Sequence, residues 1–242
     1  MNILLLQPKD FIDPQRAVVS DRRAEHIRGV LRAKPGDPLR VGLLGGGKGE
    51  ALITDLSPTS ITLSIPQSLD EPPPARHPWR LVLALPRPKM LRRVLRCCAE
   101  LGVANVHLIH SYRVEKSYWQ SPLLSPEALE RALFAGLERA GDTVMPRVTL
   151  HPRFRPFIED DLSALAGGNP IYLAHPGSAH QPPTDSGEQA TLVIGPEGGF
   201  IPFEVELAES LGAITCTLGT RTLSVDTAVN AALARQLYST ST

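Results

Sequence analysis

The stretch that decides the fold reads Thr191-Leu192-Val193-Ile194-Gly195-Pro196-Glu197-Gly198-Gly199-Phe200. A run typical of a buried strand leads into a loop with three glycines, and the following Pro202 suits the first position of a helix. Glycines let the backbone approach a ligand closely and leave N–H groups that point at it. Two interpretations fit this pattern. It is either a ligand-binding loop or a tight strand-to-helix turn in which Glu197 serves as a local cap.

A second strand, loop and helix follow at once, from Ile214 to Ala228. Ser224 stands where a helix N-cap is expected, and Asp226 in the first turn complements the helix dipole. In parallel sheets, ligands usually bind at the carboxyl ends of the strands. The two glycine-bearing loops are therefore predicted to form two walls of one pocket.

The chain as a whole predicts two domains joined by a stiff linker. Residues 1–71 show the short apolar stretches and turn residues of a small β-rich domain, with one helical segment near residues 22–31. Residues 72–78 contain four prolines, which neither join a sheet nor continue a helix. In residues 79–242, strand-like segments alternate with helix-like segments, which predicts an α/β fold with a parallel sheet covered by helices. The predicted strands are residues 81–85, 103–110, 171–174, 191–194 and 214–218, and the predicted helices are residues 89–101, 126–140, 202–211 and 225–237. Residues 176–187 form a Pro/Gly/Ser-rich loop to which the sequence assigns no role.

The two glycine loops resemble those of the SPOUT (α/β-knot) methyltransferases in residues 195–200, Leu218-Gly219 and Thr227-Ala228. Within that class the whole chain is similar to the bacterial 16S ribosomal RNA uracil-N3 methyltransferase family. Residues 26–32 with Gly36-Asp37 match that family's N-terminal β-barrel (PUA-like) domain, and residues 100–103 match a stretch of its catalytic domain.

The resemblance implies a trefoil-knotted methyltransferase domain that binds S-adenosylmethionine (SAM), works as a homodimer and methylates uracil N3 in the 16S rRNA of the small ribosomal subunit. Val229, Ala232 and neighbouring apolar positions are expected at the dimer interface, and a valine side chain at position 198 is expected to fill the cofactor pocket. The cofactor-binding residues implied are Leu173, Ala174, Gly195, Pro196, Glu197, Gly198, Gly199, Leu218, Gly219, Leu223, Ser224 and Thr227.

Several polar positions depart from the family pattern. Family members usually carry Arg where Ser224 stands, Glu at Asp226 and Lys at Cys97, and their Glu-Gln-x-Gly-Arg run is replaced by residues 138–142 here. Arg221 is the nearest remaining cation to the cofactor loops and is the candidate for stabilising charge on the base, with Asp226 as a candidate proton acceptor. The alternative is a non-catalytic, or differently targeted, RNA-binding protein of the same fold.

The chain is neutral overall, but its charges are unevenly distributed. Residues 76–116 hold nine Lys/Arg and two Asp/Glu, whereas residues 156–210 hold nine Asp/Glu and no Lys/Arg. Such asymmetry favours one surface built for an anionic partner. At helical spacing, one face of the segment after Pro88 is apolar and the other basic. The candidate RNA-binding residues are Lys89, Arg92, Arg93 and Arg96 on this segment, and Arg22, Arg23, Arg28 and Arg32 in the first domain. Aromatic residues make up only 5% of the chain, so no base-stacking platform is evident.

The remaining features exclude other classes. Three cysteines without a CxxC pair, and seven histidines without ligand spacing, argue against a disulfide framework and a metal site. No apolar run approaches the roughly 20 residues of a membrane span, so a cytoplasmic protein is expected. Residues 42–49 nearly spell a phosphate-binding P-loop, but Gly49 replaces the required Ser or Thr, and residues 50–54 read as the returning strand of a hairpin.

Overall fold

The structure is a computed structural model that describes residues 2–237, and its chain forms two units. The first consists of the residues up to Pro74 together with Leu137–Met145. The second consists of Ala75–Gly136 together with the residues from Pro146 onward.

The first unit is built on a six-stranded, barrel-like mixed sheet in the order β1-β4-β5-β6-β3-β2. β1 pairs with β4 in parallel, and the other neighbours are antiparallel. Alternate residues such as Ile61 and Leu63 point into a core of aliphatic side chains, as expected for a half-buried sheet. A short helix, α1, follows β3 and continues as one π-type turn at Ile27–Leu31. The bounds are β1 Leu4–Leu6, β2 Phe11–Asp13, β3 Arg16–Val19, α1 Arg22–His26, β4 Pro38–Leu43, β5 Lys48–Leu56 and β6 Ile61–Ser64.

The glycine-rich residues 42–49 form the turn of the β4–β5 hairpin, so the prediction of a hairpin rather than a nucleotide site is confirmed. The Leu43 N–H donates to the Gly47 carbonyl at 3.0 Å, which closes the turn. A Cβ at Gly47 would lie 2.0 Å from the Leu69 carbonyl oxygen, so only glycine fits there. Lys48 is buried and its ammonium lies 2.8 Å from the Glu71 carboxylate, where it cannot reach a phosphate.

The second unit is an α/β fold whose six strands are all parallel, in the order β12-β10-β11-β7-β8-β9. All five residues of β11 are buried, as expected for a strand covered on both faces. The helices and strands are β7 Trp79–Ala84, α2 Pro88–Glu100, β8 Asn105–Ile109, α3 Pro126–Ala140, β9 Arg147–His151, α4 Phe154–Pro156, α5 Leu162–Ala166, β10 Ile171–Ala174, β11 Ala190–Ile194, α6 Pro202–Ser210, β12 Ala213–Cys216 and α7 Val225–Ala234. The last turn of α3 belongs to the first unit.

Helices α2 and α7 pack against each other on the sheet. Leu91, Val94 and Leu95 form the buried face of α2, in agreement with the helical spacing of the sequence. Val229 and Ala232 of α7 are fully buried within the protomer. The expectation that these two side chains lie at a dimer interface is therefore wrong, because they already contribute to the protomer's own core.

The loop after β10, to which the sequence assigned no role, makes many contacts with the C-terminal part of the second unit. The His180 carbonyl accepts the Thr217 N–H at 2.8 Å, and the Arg235 carbonyl accepts the Asp185 N–H at 2.9 Å. The Gln236 side chain donates to the Pro183 carbonyl at 2.6 Å. This loop therefore lies against the chain on both sides of α7.

Strand β9 and the short helices α4 and α5 were missed by the sequence analysis. β9 is an edge strand whose residues show neither continuous burial nor clean alternation. It is held beside β8 partly by side chains, since His107 Nδ1 and His151 Nε2 lie 3.1 Å apart. Both rings pack against Phe157, with ring centroids 6.3 and 4.4 Å away.

Candidate active site

A cavity of about 240 Å³ opens at the carboxyl ends of β10, β11 and β12, the edge where ligands bind in parallel sheets. It lies entirely within the second unit, and its volume is slightly below the usual range of small-molecule sites. The loops after these three strands and the start of α7 surround it. Its lining comprises Ala174, His175, Pro176, Ile194, Gly195, Pro196, Glu197, Gly198, Gly199, Phe200, Thr217, Leu218, Gly219, Arg221, Thr222, Leu223, Val225 and Ala228.

The loop after β11 forms the first wall of the cavity. The Gly199 N–H donates to the Pro196 carbonyl at 2.8 Å, and Gly199 has a φ of 71°, which favours glycine. The Glu197 carboxylate accepts the Arg87 N–H at 3.0 Å, so Glu197 connects two loops and does not cap its own helix. That capping role belongs to Glu204, whose carboxylate accepts the Ile201 N–H at 3.0 Å. Of the two sequence interpretations, the local Glu197 cap is therefore wrong.

A tight turn after β8, at residues 111–114, contacts this wall, and the sequence analysis missed it. The Val114 N–H donates to the Ser111 carbonyl at 3.0 Å, and both residues are buried, while Tyr112 and Arg113 at the tip are exposed. The Arg113 guanidinium donates to the Gly198 carbonyl. A basic residue after a predicted strand was the available signal, but nothing in the sequence pairs it with a loop 85 residues away.

The structure brings together nine of the twelve predicted cofactor residues, namely Ala174, Gly195, Pro196, Glu197, Gly198, Gly199, Leu218, Gly219 and Leu223. Leu173, Ser224 and Thr227 do not line the cavity. Leu173 is buried inside β10. The Ser224 hydroxyl, predicted to cap α7, instead donates to the Asp226 carboxylate at 2.5 Å and lies 2.9 Å from the Thr227 hydroxyl.

The two catalytic candidates have different surroundings. Arg221 lines the cavity and is exposed, and within residues 2–237 its guanidinium has neither a hydrogen bond nor an ion pair. Asp226 does not line the cavity. The hydrogen bond from Ser224 lowers the pKa of Asp226, and the guanidinium of Arg93, 3.8 Å away, acts in the same direction. A carboxylate with a lowered pKa is a weaker base, so this geometry does not fit the predicted role of Asp226 as proton acceptor.

The basic candidates of the second unit share one face of α2. Lys89, Arg92, Arg93 and Arg96 are all exposed, opposite the buried face. Arg96 forms an ion pair with Glu100 at 2.7 Å, and Arg93 faces Asp226. In the part of the chain that the structure describes, neither Lys89 nor Arg92 has an ion pair. This basic face of α2 is therefore available to an anionic partner.

The basic candidates of the first unit differ among themselves. Arg23 is only 5% exposed and donates to Asp10 at 2.7 and 2.8 Å, to Asp21 and to the Leu5 carbonyl. The predicted RNA-binding role of Arg23 does not fit, because its guanidinium is buried and its donors are occupied within the barrel-like sheet. Arg22 forms a two-pronged pair with Glu138, and Arg28 donates to the Ser57 carbonyl at 3.0 Å. Arg32 is exposed, with a left-handed φ of 52°.

Residues 2–237 contain no group of three or more His, Cys, Asp or Glu side chains arranged to hold a metal ion. Among the helices described, none is long and apolar enough to cross a membrane. Burial raises the pKa of Cys97 to about 12, so its thiol stays protonated at neutral pH and is a poor nucleophile.

Comparison with known families identifies the class of the protein. The family model described as "RNA methyltransferase domain" matches residues 73–236, well over half of the chain. The chain therefore belongs to this family of RNA methyltransferases.

Individual relatives narrow the comparison. The chain is 32% identical to the ribosomal RNA small subunit methyltransferase E of Treponema pallidum, with 97% of this chain and 90% of that protein covered. A probable rRNA methyltransferase from Porphyromonas gingivalis superimposes with a TM-score of 0.75 at 25% identity, covering 96% of this chain and 95% of that one. The ribosomal RNA small subunit methyltransferase E of Neisseria gonorrhoeae, solved with SAM bound, has the same fold. Its TM-score is 0.74 at 22% identity, with 97% of this chain and 95% of that one covered.

Proposed function

We propose that this protein transfers a methyl group from SAM to the N3 atom of a uracil in the 16S rRNA of the small ribosomal subunit. The observation that carries the proposal is the glycine-lined cavity with Arg221 in its lining, where the guanidinium has no partner within residues 2–237. The chain's relative over nearly its whole length is a small-subunit rRNA methyltransferase.

The residues of the cavity fit SAM. Ile194, Leu218, Leu223 and Val225 provide an apolar lining for an adenine ring, and the glycines of the first wall leave main-chain groups accessible to polar atoms. A Cβ at Gly195 would lie 3.2 Å from the Phe200 ring, so glycine keeps the backbone and the ring close enough to form a cradle. We propose that these residues, with Ala174 and Gly219, hold the cofactor.

Methyl transfer forms a bond between uracil N3 and the methyl carbon and breaks the bond between that carbon and the sulfonium sulfur. The N3 proton must also leave, and in this proposal it passes to solvent, since Asp226 does not line the cavity. When bound, SAM supplies an electrophilic methyl group on a sulfonium centre. As the base loses its proton, negative charge develops on the ring, and the Arg221 guanidinium in the cavity lining is placed to stabilise it. The enclosing loops orient the base and exclude water.

RNA binding is proposed for the exposed face of α2. Lys89 and Arg92 point to solvent without ion pairs in the described chain, a property that suits contacts with phosphates. Arg93 and Arg96 extend the same face. Arg22, Arg28 and Arg32 of the first unit are proposed as a second basic surface, without Arg23. In this proposal the first unit is an RNA-binding domain and the second unit is the catalytic domain.

The double substitution Lys89→Glu/Arg92→Glu is expected to weaken RNA binding. The logarithm of the association constant should also fall less steeply with the logarithm of the salt concentration, the slope becoming less negative by about 1.5 to 2. The reason is that each lost phosphate contact removes about one counterion release. Fluorescence anisotropy with an rRNA fragment across a salt series measures both quantities. Arg131→Glu/Arg155→Glu, which makes the same change in net charge at exposed positions elsewhere, is the control. Equal slopes for the two double variants would contradict the assignment.

We also propose a trefoil knot and a homodimer, with the protein acting in the cytoplasm where its rRNA substrate is found. The contacts of the loop after β10 with Thr217 and with Arg235 and Gln236, on both sides of α7, support a threaded chain. For the dimer, the exposed side of α7 offers Thr227, Asn230 and Ala231 in place of the buried Val229 and Ala232.

The test of the proposed function is methylation of 30S subunits from a strain that lacks the gene for this protein. We expect incorporation of label from SAM, and nucleoside mass spectrometry should show 3-methyluridine from 16S rRNA. Label in another nucleoside would overturn the uracil-N3 assignment. Binding of SAM and of 30S subunits without any transfer would overturn the enzymatic proposal and favour the RNA-binding alternative.

A further inference from the structure

Tyr112 is the most exposed large hydrophobic or aromatic side chain described among residues 2–237, at 77%. A single exposed aromatic side chain is common on protein surfaces, so the exposure of Tyr112 does not by itself define a site. Its position is the informative feature, since it lies at the tip of the turn at residues 111–114, beside the first wall of the cavity. Tyr112 was not singled out from the sequence, because base stacking was judged from the aromatic content of the whole chain, which is only 5%.

The backbone that carries Tyr112 is fixed from three sides. The two ends of the turn, Ser111 and Val114, are buried. The Tyr112 N–H donates at 2.7 Å to the carboxylate of Glu204, itself only 3% exposed. The other oxygen of Glu204 accepts the Ile201 N–H, so one buried carboxylate ties the turn to the cofactor loop.

The neighbouring Arg113 fixes the turn against the cavity wall. Its guanidinium donates to the Gly198 carbonyl, and a Cβ on Gly198 would lie only 3.0 Å from Arg113 Cδ. The turn therefore holds an exposed aromatic ring next to a cation that contacts the first wall of the cavity. Preorganised aromatic rings beside positive charge are the elements that bind unpaired nucleobases.

We propose that Tyr112 forms a nucleobase subsite in which the ring stacks on the base of the methylated nucleotide as it is presented to the cavity. This inference rests on the proposed function for the identity of the nucleotide. Tyr112 orients the base and takes no part in proton or methyl transfer. Stacking uses the face of the ring and not the hydroxyl group, so phenylalanine should serve equally well.

Tyr112→Ala is expected to lower kcat/KM for 30S subunits about ten- to a hundred-fold, the range observed for the loss of one base–aromatic stack. Tyr112→Phe should stay within about twofold of the wild type, and the SAM dissociation constant of both variants should be unchanged. Leu211→Ala removes an exposed apolar side chain at the opposite end of α6 and is the control. Wild-type kcat/KM in Tyr112→Ala, or a loss in Tyr112→Phe as large as that in Tyr112→Ala, would overturn the proposal.

A binding experiment tests the subsite without any turnover. The dissociation constant is measured for two rRNA fragments that differ only at the target nucleotide, one intact and one abasic. The wild type should lose affinity for the abasic fragment, whereas Tyr112→Ala should bind the two fragments equally. Equal losses in both proteins would overturn the stacking assignment. Because no methyl transfer is involved, a protein that fails to methylate uracil N3 but discriminates the abasic fragment would disprove the proposed reaction and keep the subsite.

Discussion

The Gly198→Val substitution is expected to weaken SAM binding on the order of 100-fold, the upper range of what overpacking a close contact costs. The sequence predicted that valine would fill the cavity, but the structure gives a different reason. A Cβ on Gly198 would lie 3.0 Å from Arg113 Cδ and 3.4 Å from Arg113 Cβ. Either the Arg113 side chain gives way, at the cost of its hydrogen bond to the Gly198 carbonyl, or the glycine loop moves and displaces main-chain groups of the first wall. Isothermal titration calorimetry with SAM measures the loss.

Two comparisons identify this contact as the cause. Gly29→Val places the same side chain at an exposed glycine where a Cβ would meet nothing within 4 Å, and SAM affinity should remain at the wild-type value. In an Arg113→Ala background most of the obstructing side chain is gone, so Gly198→Val should cost several-fold less there. Equal costs in the two backgrounds would show that the valine obstructs the cavity itself.

The second unit was predicted well because its segments carry strong local patterns. β10 and α3 have the predicted bounds, and the buried strands read as continuous apolar runs. The cavity could be predicted from the two glycine-bearing loops, because ligands bind at the carboxyl ends of parallel strands. Applying that rule requires only the order of strands and helices along the chain. β9, an edge strand with neither burial nor alternation, had no such pattern.

The errors concern contacts between residues that are distant in sequence. Arg23 looked like a surface cation because the sequence does not show that Asp10 and the Leu5 carbonyl meet its guanidinium in the core. Val229 and Ala232 were assigned to a dimer interface although both are fully buried within the protomer. The Glu204 carboxylate links Ile201 to Tyr112, 92 residues away, and no local pattern encodes that bond. Polar side chains with distant partners are therefore the part of a site least accessible to sequence reasoning.

Arg221→Ala is expected to lower the single-turnover methylation rate on the order of 10²–10³-fold, which is typical for the loss of a preorganised charge stabiliser. Arg221→Lys retains the positive charge and should recover part of the rate. The SAM dissociation constant should change far less than the rate, because the apolar and glycine residues dominate the cofactor contacts in this proposal. Arg155→Ala, an exposed arginine outside the cavity, should leave the rate unchanged.

Ser224→Arg tests whether Arg221 acts alone. Family members that this chain resembles usually carry Arg at this place, whereas the Ser224 hydroxyl here is bonded to Asp226. Added charge beside the cofactor loops should raise the wild-type rate and reduce the loss caused by Arg221→Ala, since either guanidinium then stabilises the anionic base. If neither Ser224→Arg nor Arg221→Ala changes the methylation rate, the stabilising charge comes from another residue. If neither the wild type nor Ser224→Arg transfers a methyl group although both bind SAM, the RNA-binding alternative is favoured, because an added charge cannot accelerate a reaction that the site does not perform.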